Sequence, residues 1–561
     1  MATSTRNLLA YLVRTRLQIG SFGIIAITVV LVWALPAFPD FAHLRLSNPG
    51  DSESFAYYLS WNVHALANFQ NPFFVPNLYA PRGLDLGNGI SLPSISILVA
   101  PISALWGGTA AYNVAFLLSI FLASAFLYLL AREIVPSTLG PLLAAELLVV
   151  SPYFAGHALG HLNLMWVFGL PFIGYLVARF VNGRLSRTWL VVWVALALAV
   201  TAGASTELAV TESIFFVVAI LCTLIFANTR VRRAVLRALP WTALGAGLGA
   251  VLALPVVFAA LAAGIPSSPG NPPADYSSDL TNVFVPTQLV QFGESRFSAI
   301  WPLWLGNPAE NTAYIPASLL LFVLAYGWIT RGRLSAALGT FALVALIFSF
   351  GPSLAIAGRH TIPLPWRLAL DVPGLDHALP GRFSAFVFMA VLLMVAHAWS
   401  IARSKLARIS IGIVVLVSFV LLIPNLKVMQ FPVDARDPSF VTSGQLGRTI
   451  KPGENVLVLP AGQWGPGMRW EDDLDFSFSM PTGNGGGATP PPELKSPIGW
   501  ALFSRTLDFP YAKQLPNYLK KYDVSTIIVD GRYPEWNSVV ESALGRSAKK
   551  VGGVWVYHLD R

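Results

Sequence analysis

Asn48-Pro49-Gly50-Asp51-Ser52-Glu53 follows the first long apolar run of the chain, Ile19 to Phe38. Such a run suits a helix across a hydrocarbon core, which needs about 20 apolar residues for its thickness of about 30 Å. The hexapeptide therefore puts two carboxylates where the chain leaves the bilayer. Ionised groups at that boundary are costly unless they line a wet, protein-walled cavity. Asp51 and Glu53 are thus the first candidates for chemistry.

The rest of the chain agrees with a membrane setting. Charged residues make up 12%, about half the share of a soluble domain, which is about 25%. Mean hydropathy is +0.61. The first run reads as a retained helix, because no small-residue cleavage site clearly follows it. The one cysteine, Cys222, lies inside an apolar run and excludes an intramolecular disulfide. The net charge of +9 does not imply a nucleic-acid partner. Most of the basic residues lie in short loops between apolar runs, which is the positive-inside pattern.

The spacing predicts about eleven spans: 19–38, 110–131, 137–153, 162–181, 188–204, 208–227, 238–262, 313–330, 334–351, 383–402 and 408–424. With these, every arginine-rich loop falls on one side, taken as cytoplasmic together with the N-terminus. Ile90–Trp106 is short and carries Pro93 and Pro101. It is expected to lie along the outer face, since counting it as a span would reverse the later arginine clusters. The outer face then holds 39–109, with juxtamembrane helices, together with 154–161, 263–312 and 352–382. Residues 1–424 form the membrane domain. The tail, 425–561, reads as a small extracytoplasmic α/β domain, with strands at 455–460, 524–529 and 553–557 and helices at 513–521 and 535–544. No transporter-like inverted repeat is evident.

An ordered set of segments then carries a family resemblance. It comprises Gly50-Asp51-Ser-Glu53-Ser-Phe55-Ala-Tyr57-Tyr58 with Trp61 and Asn62, Asn71-Pro72, and Tyr79-Ala-Pro81-Arg-Gly83-Leu-Asp85. Further along come Ser151-Pro152-Tyr153 with Gly160-His161-Leu-Asn163, Ser278-Asp279-Leu with Pro286, Glu310-Asn-Thr-Ala-Tyr314, and Leu379-Pro-Gly-Arg382-Phe383. The chain resembles a bacterial GT-C superfamily glycosyltransferase. The resemblance covers the membrane part and, more loosely, the tail. It implies a polytopic α-helical fold in the bacterial cytoplasmic membrane. It also implies transfer of a sugar from a polyprenyl-phosphate donor to an envelope glycan or glycolipid on the outer face.

Inverting transfer needs one base to take the acceptor's hydroxyl proton. Asp51 matches the family's first-loop base, with Glu53 in reserve. The competing reading makes Asp51 an N-cap for the helix that follows. The leaving phosphate needs cationic contacts. Arg382 is the best placed and Arg367 the second, against an interfacial-anchor reading of both. His157 and His161, four apart, share a face if helical. His161 is a candidate for the donor, His157 for the sugar or acceptor. Asp279, Glu310 and Glu207 are candidates for acceptor or sugar hydroxyls, and Glu212 lies deeper in the same run as Glu207. The spacing of the two histidines could bind a metal with a third carboxylate ligand, but the sequence places none and has no HExxH pattern, so no metal or other cofactor is expected. Glu471-Asp-Asp-Leu-Asp475 reads as a solvated acidic loop and not a nucleotide-sugar site. Gly483–Gly487 lacks the context of a phosphate loop. Trp464, Trp470, Phe476 and Phe478 read either as aromatics over the sugar site or as a packed lid. A transporter and a non-catalytic envelope-assembly protein are the rival classes.

Overall fold

The computed structural model describes residues 2–87, 89–264, 270–484 and 490–559. The Gly485–Gly487 part of the glycine run lies outside them. Among the described residues eight helices are long and apolar enough to cross a membrane. They include Arg16–Asp40, Thr206–Phe226, Pro380–Ile401 and Lys405–Leu422. The expected spans at 162–181, 313–330 and 334–351 correspond to shorter helices, Gly169–Val181, Ala317–Ile329 and Arg333–Ser349.

Two boundaries differ from the reading of the sequence for clear reasons. Residues 162–168 are turns, and the helix starts only at Gly169. Apolarity alone cannot distinguish a helix from buried turns, and most of this segment is buried in protein, where irregular backbone at membrane depth is tolerated. The 238–262 run begins earlier, at Thr229, so its arginines sit within the first turns of the helix. It breaks near Ala253, just before Pro255. The Pro93–Ile134 helix is interrupted at Gly107, with φ 78° and ψ 177°. This break separates the proline-bearing piece, 93–106, from the span that follows, in line with reading 90–106 as a distinct element.

The tail contains a four-stranded sheet in the order 455–459, 524–530, 554–558, 549–551. The first pair is parallel. The crossover between them carries the helices Gly467–Asp473, Pro497–Phe503 and Tyr511–Lys521, as a parallel connection requires. Three of the four strands are legible in the sequence, and the fourth, Lys549–Val551, is not, because its lysines hide an edge strand. Edge strands commonly carry such charges.

The tail is locked into the first loop. Leu44–Arg45 pairs antiparallel with Val433–Asp434, and Leu78 bridges to Met480. Tyr57, Trp61 and Tyr79 share a buried core with Trp470, Phe478 and Met480. Fully burying each such large apolar side chain contributes on the order of 1.5–3 kcal/mol. Trp470, Phe476 and Phe478 therefore pack as core and do not stand over a sugar site.

Candidate active site

The helix Ser52–Ala67 starts at Asp51, whose backbone is helical and whose side chain makes no capping bond. The cap reading thus leaves the carboxylate unexplained. Asp51 is exposed, and its Oδ1 accepts one bond, from Asn484 Nδ2 at 3.3 Å. Asn484 comes from the tail. It is held by Ser54 Oγ at 2.5 Å, and its own carbonyl accepts Tyr58 OH at 3.0 Å. Trp464, also from the tail and partly exposed, lies against Gly50. A Cβ there would be 3.7 Å from the indole.

Glu53 is not available as a base. Its Oε2 accepts Arg45 Nη1 at 2.5 Å and its Oε1 accepts Arg469 Nη1 at 2.9 Å. Burial alone would push this carboxyl up, but Arg45 and Arg469 outweigh it and hold it below the usual carboxylate range. Arg469 also reaches Asp437 at 3.0 Å. The reserve role therefore passes from Glu53, which instead ties the first loop to the tail.

Two glycines bring the remaining site residues together. Ser151 caps the short helix Pro152–His157, and its Oγ accepts the Phe154 N–H. On that helix Gly156 faces the 309–312 loop, where a Cβ would sit 2.5 Å from the Ala309 carbonyl. Glycine therefore lets Glu310 approach the histidines. Gly160 follows at φ +93°, a left-handed conformation that costs glycine little. Its Cβ position lies 3.5 Å from Asp51 Cβ, so the histidine segment abuts the first-loop acid.

His157 and His161 face each other with Nδ1 atoms 3.3 Å apart. His161 Nδ1 lies 4.0 Å from Glu310 Oε1. Ligand atoms of His157, His161 and Glu310 all lie within 4.8 Å of one another. Two nitrogens about 2.0–2.1 Å from one tetrahedral ion would be about 3.3 Å apart. The spacing therefore suits either a histidine–histidine hydrogen bond or two ligands on one cation. His157 Nε2 is buried and, among the described residues, has no hydrogen-bond partner. Glu310 supplies a third side chain of ligand type, which sequence alone did not place.

Arg382 is held by the same carboxylate. Its Nε and Nη2 donate to Glu310 at 2.9 and 2.6 Å, and its Nη1 donates to Glu207. Glu207 also accepts the Leu379 N–H at 3.2 Å. Burial would push the Glu310 carboxyl up, yet Arg382 outweighs it and holds it at about 2. Of the five guanidinium N–H groups, these contacts take three and leave two for a ligand. Asp51, His157, His161, Glu207, Glu310 and Arg382 thus form one neighbourhood.

The other candidates lie elsewhere or are already engaged. Asp279 accepts from Thr281 N, Thr281 Oγ1, Ala357 N and Gly358 N at 2.6–3.1 Å. A buried carboxylate so engaged fixes two loops in place, which accounts for it without a ligand. Arg367 is exposed, beside the buried Trp366. Glu212 is buried against Gly169 at the start of the Gly169–Val181 helix. Of the expected acidic loop, Glu471–Asp473 end the helix Gly467–Asp473, with Trp470 anchored in the core, while Asp473 and Asp475 are exposed. Glu471 is fully buried and accepts Tyr57 OH at 2.6 Å. Burial pushes that carboxyl up to about 8.

With this geometry in place, the fold matches that of GT-C membrane glycosyltransferases. The archaeal oligosaccharyltransferase AglB from Archaeoglobus fulgidus, solved with an inhibitory peptide and a dolichol-phosphate, superposes with a TM-score of 0.54 at 12% identity. The match covers 94% of this chain and 71% of that one. A structure of the Archaeoglobus fulgidus oligosaccharyltransferase with Zn and sulfate gives a TM-score of 0.50 at 13% identity, covering 94% and 70%. The mycobacterial arabinofuranosyltransferase AftD gives 0.55 at 15% identity, covering 97% of this chain but 41% of that one. No curated protein matches the chain. The chain belongs to the family described as Domain of unknown function (DUF6311), whose model matches residues 23–426.

Proposed function

We propose that this protein is an inverting membrane glycosyltransferase. It moves one sugar from a polyprenyl-phosphate donor to an envelope glycan or glycolipid on the outer face of a bacterial cytoplasmic membrane. The observation that carries this reading is Asp51, an exposed carboxylate with no capping bond, beside His161 and the Arg382–Glu310 cluster. Asp51 takes the proton of the acceptor hydroxyl as that oxygen bonds the anomeric carbon. The bond from that carbon to the phosphate oxygen breaks on the opposite face, and polyprenyl phosphate leaves with the electron pair.

The leaving phosphate needs positive charge. Arg382 offers its two remaining N–H groups, and His161 borders the same space. Glu207 and Glu310 against one guanidinium leave this cluster one charge negative when both are ionised. A phosphate dianion there would be poorly matched without a further cation. His157, His161 and Glu310 would hold a divalent ion. When bound, such an ion would stabilise the charge that develops on the phosphate. This reading departs from the metal-free expectation, which rested on a missing third ligand.

Asn484 orients the Asp51 carboxylate from the tail, and Trp464 offers a partly exposed indole beside it. The tail thus completes the acceptor side of the site. Arginine-rich loops at the other end of the helices support an outward-facing site. The test is transfer by purified protein in vesicles supplied with a polyprenyl-phosphate sugar or with the matching nucleotide sugar. Product is expected from the lipid-linked donor alone. Product from the nucleotide sugar alone would reject the reading.

A further inference from the structure

A cavity opens at the far end of the helices from Asp51, and its volume is about 460 Å³. Leu130, Ala219, Ile220, Leu338, Phe341 and Leu393 give it an apolar wall. Small residues where helices face each other, such as Gly174 and Ala337, leave the space. Its mouth carries Asn182, Asn228 and Arg333 together with Glu133. The Glu133 carboxylate is paired with Arg184 Nη1 at 2.9 Å and accepts Asn182 Nδ2 at 3.0 Å, so its charge is matched. Arg333 is exposed and, among the described residues, has no ionic partner.

The charge at this mouth is one-sided. Two helices begin there, Thr229–Leu252 capped by Asn228 and Arg333–Ser349. Both direct the positive ends of their dipoles to it. Arg132, Arg179, Arg230, Arg232 and Arg233 lie on the same end of the bundle. An apolar slot with a basic, hydrogen-bonding rim matches a lipid with an anionic headgroup and acyl chains.

We propose that this crevice binds an anionic phospholipid of the arginine-rich leaflet, with an acyl chain in the slot and the phosphate at Arg333. The donor lipid does not fit the same place productively. Leu393 lies eleven residues along its helix from Arg382, about 16 Å at 1.5 Å per residue. A phosphate at the crevice mouth would therefore sit far from Asp51.

The test uses the full-length protein in non-ionic detergent. Equimolar phosphatidylglycerol and phosphatidylcholine with identical chains are added, and bound lipid is read by native mass spectrometry. One phosphatidylglycerol per chain should be retained in preference to phosphatidylcholine. Arg333→Glu should lower that occupancy by about fivefold or more, since one arginine near an anionic lipid is worth about that factor. Arg408→Glu, on the same end but outside the crevice, should not. Ala219→Trp fills the slot and should also expel the lipid. If that variant misfolds, the exposed Arg333 comparison still decides. Equal retention of the two lipids overturns the proposal, as do equal effects of the two arginine variants. Displacement of bound phosphatidylglycerol by polyprenyl phosphate in the wild type would also overturn it, by assigning the slot to the donor.

Discussion

The side-chain nitrogen of Asn484 lies 3.3 Å from Oδ1 of Asp51, joining a tail residue to the first-loop acid 433 positions away. That contact aims a carboxylate that no capping bond holds. Asn484→Ala should therefore reduce turnover by about tenfold, because a hydrogen bond to a charged group is worth about 1.5–3 kcal/mol. Donor affinity should change little, since Arg382 lies on the other side of the site. Steady-state kinetics at varied donor and acceptor would show this split. Unchanged turnover in a folded variant would remove Asn484 from the site.

Arg469 secures the tail to the first loop through Glu53, and Asp437 of the tail holds its guanidinium in place. Arg469→Ala should destabilise the protein by about 1.5–3 kcal/mol, because it removes a charge-assisted hydrogen bond to the buried Glu53, which keeps Arg45 as its remaining partner. The melting temperature of the detergent-solubilised protein should fall clearly. Arg469→Met should be as poor, while Arg469→Lys should recover part of the loss. A melting temperature insensitive to all three would mean that the tail is held by its apolar core alone.

Glu471 gives a pH signature. Its folded carboxyl is pushed up to about 8 by burial, above the ordinary carboxylate value near 4.5. Between those values the native state keeps a proton that the unfolded state releases. Stability must then fall as pH rises from about 4.5 to about 8. Glu471→Gln keeps the shape and removes this dependence. Thermal melts of the two proteins across that range should diverge, with the variant ahead at the alkaline end. Parallel curves would show that Glu471 is ionised in the fold.

The carboxylate–histidine cluster predicts a metal requirement. Chelator treatment followed by gel filtration should reduce transfer, and a divalent ion should restore it. His161→Ala should lower the metal content measured by elemental analysis, with the fold preserved. Full activity of metal-free protein would return the cluster to a hydrogen-bonded role and leave Arg382 as the main phosphate contact.

Much of the architecture was legible in the sequence because apolar length and arginine placement report directly on helices in lipid. Asp51, His161, Glu310 and Arg382 were each singled out, and the fold brings them into one neighbourhood. Their partners were not legible. That Glu310 would fork onto Arg382 depends on how the 307–312 loop packs against Gly156, which no local pattern encodes. Asn484 lies 433 positions from Asp51 within a stretch rich in glycine and proline, and its residue type signals no site, whereas Trp464 was open to reading as an aromatic over the site. Glu53 and Asp279 misled for the same reason in reverse. A carboxylate in a functional-looking loop reads the same whether it meets substrate or is consumed by arginines and backbone N–H groups. Glu471 looked solvated because its acidic neighbours hid the anchoring of Trp470.

The most direct test of the account is transfer by Asp51→Asn. Asparagine keeps the size and caps a helix as well as aspartate does, so folding and membrane insertion should be unchanged. Loss of a general base typically costs about 10²–10⁴-fold, or about 3–5 kcal/mol of barrier. The account predicts a drop of that size in turnover, with donor binding retained. Near wild-type transfer by the well-folded variant would contradict it.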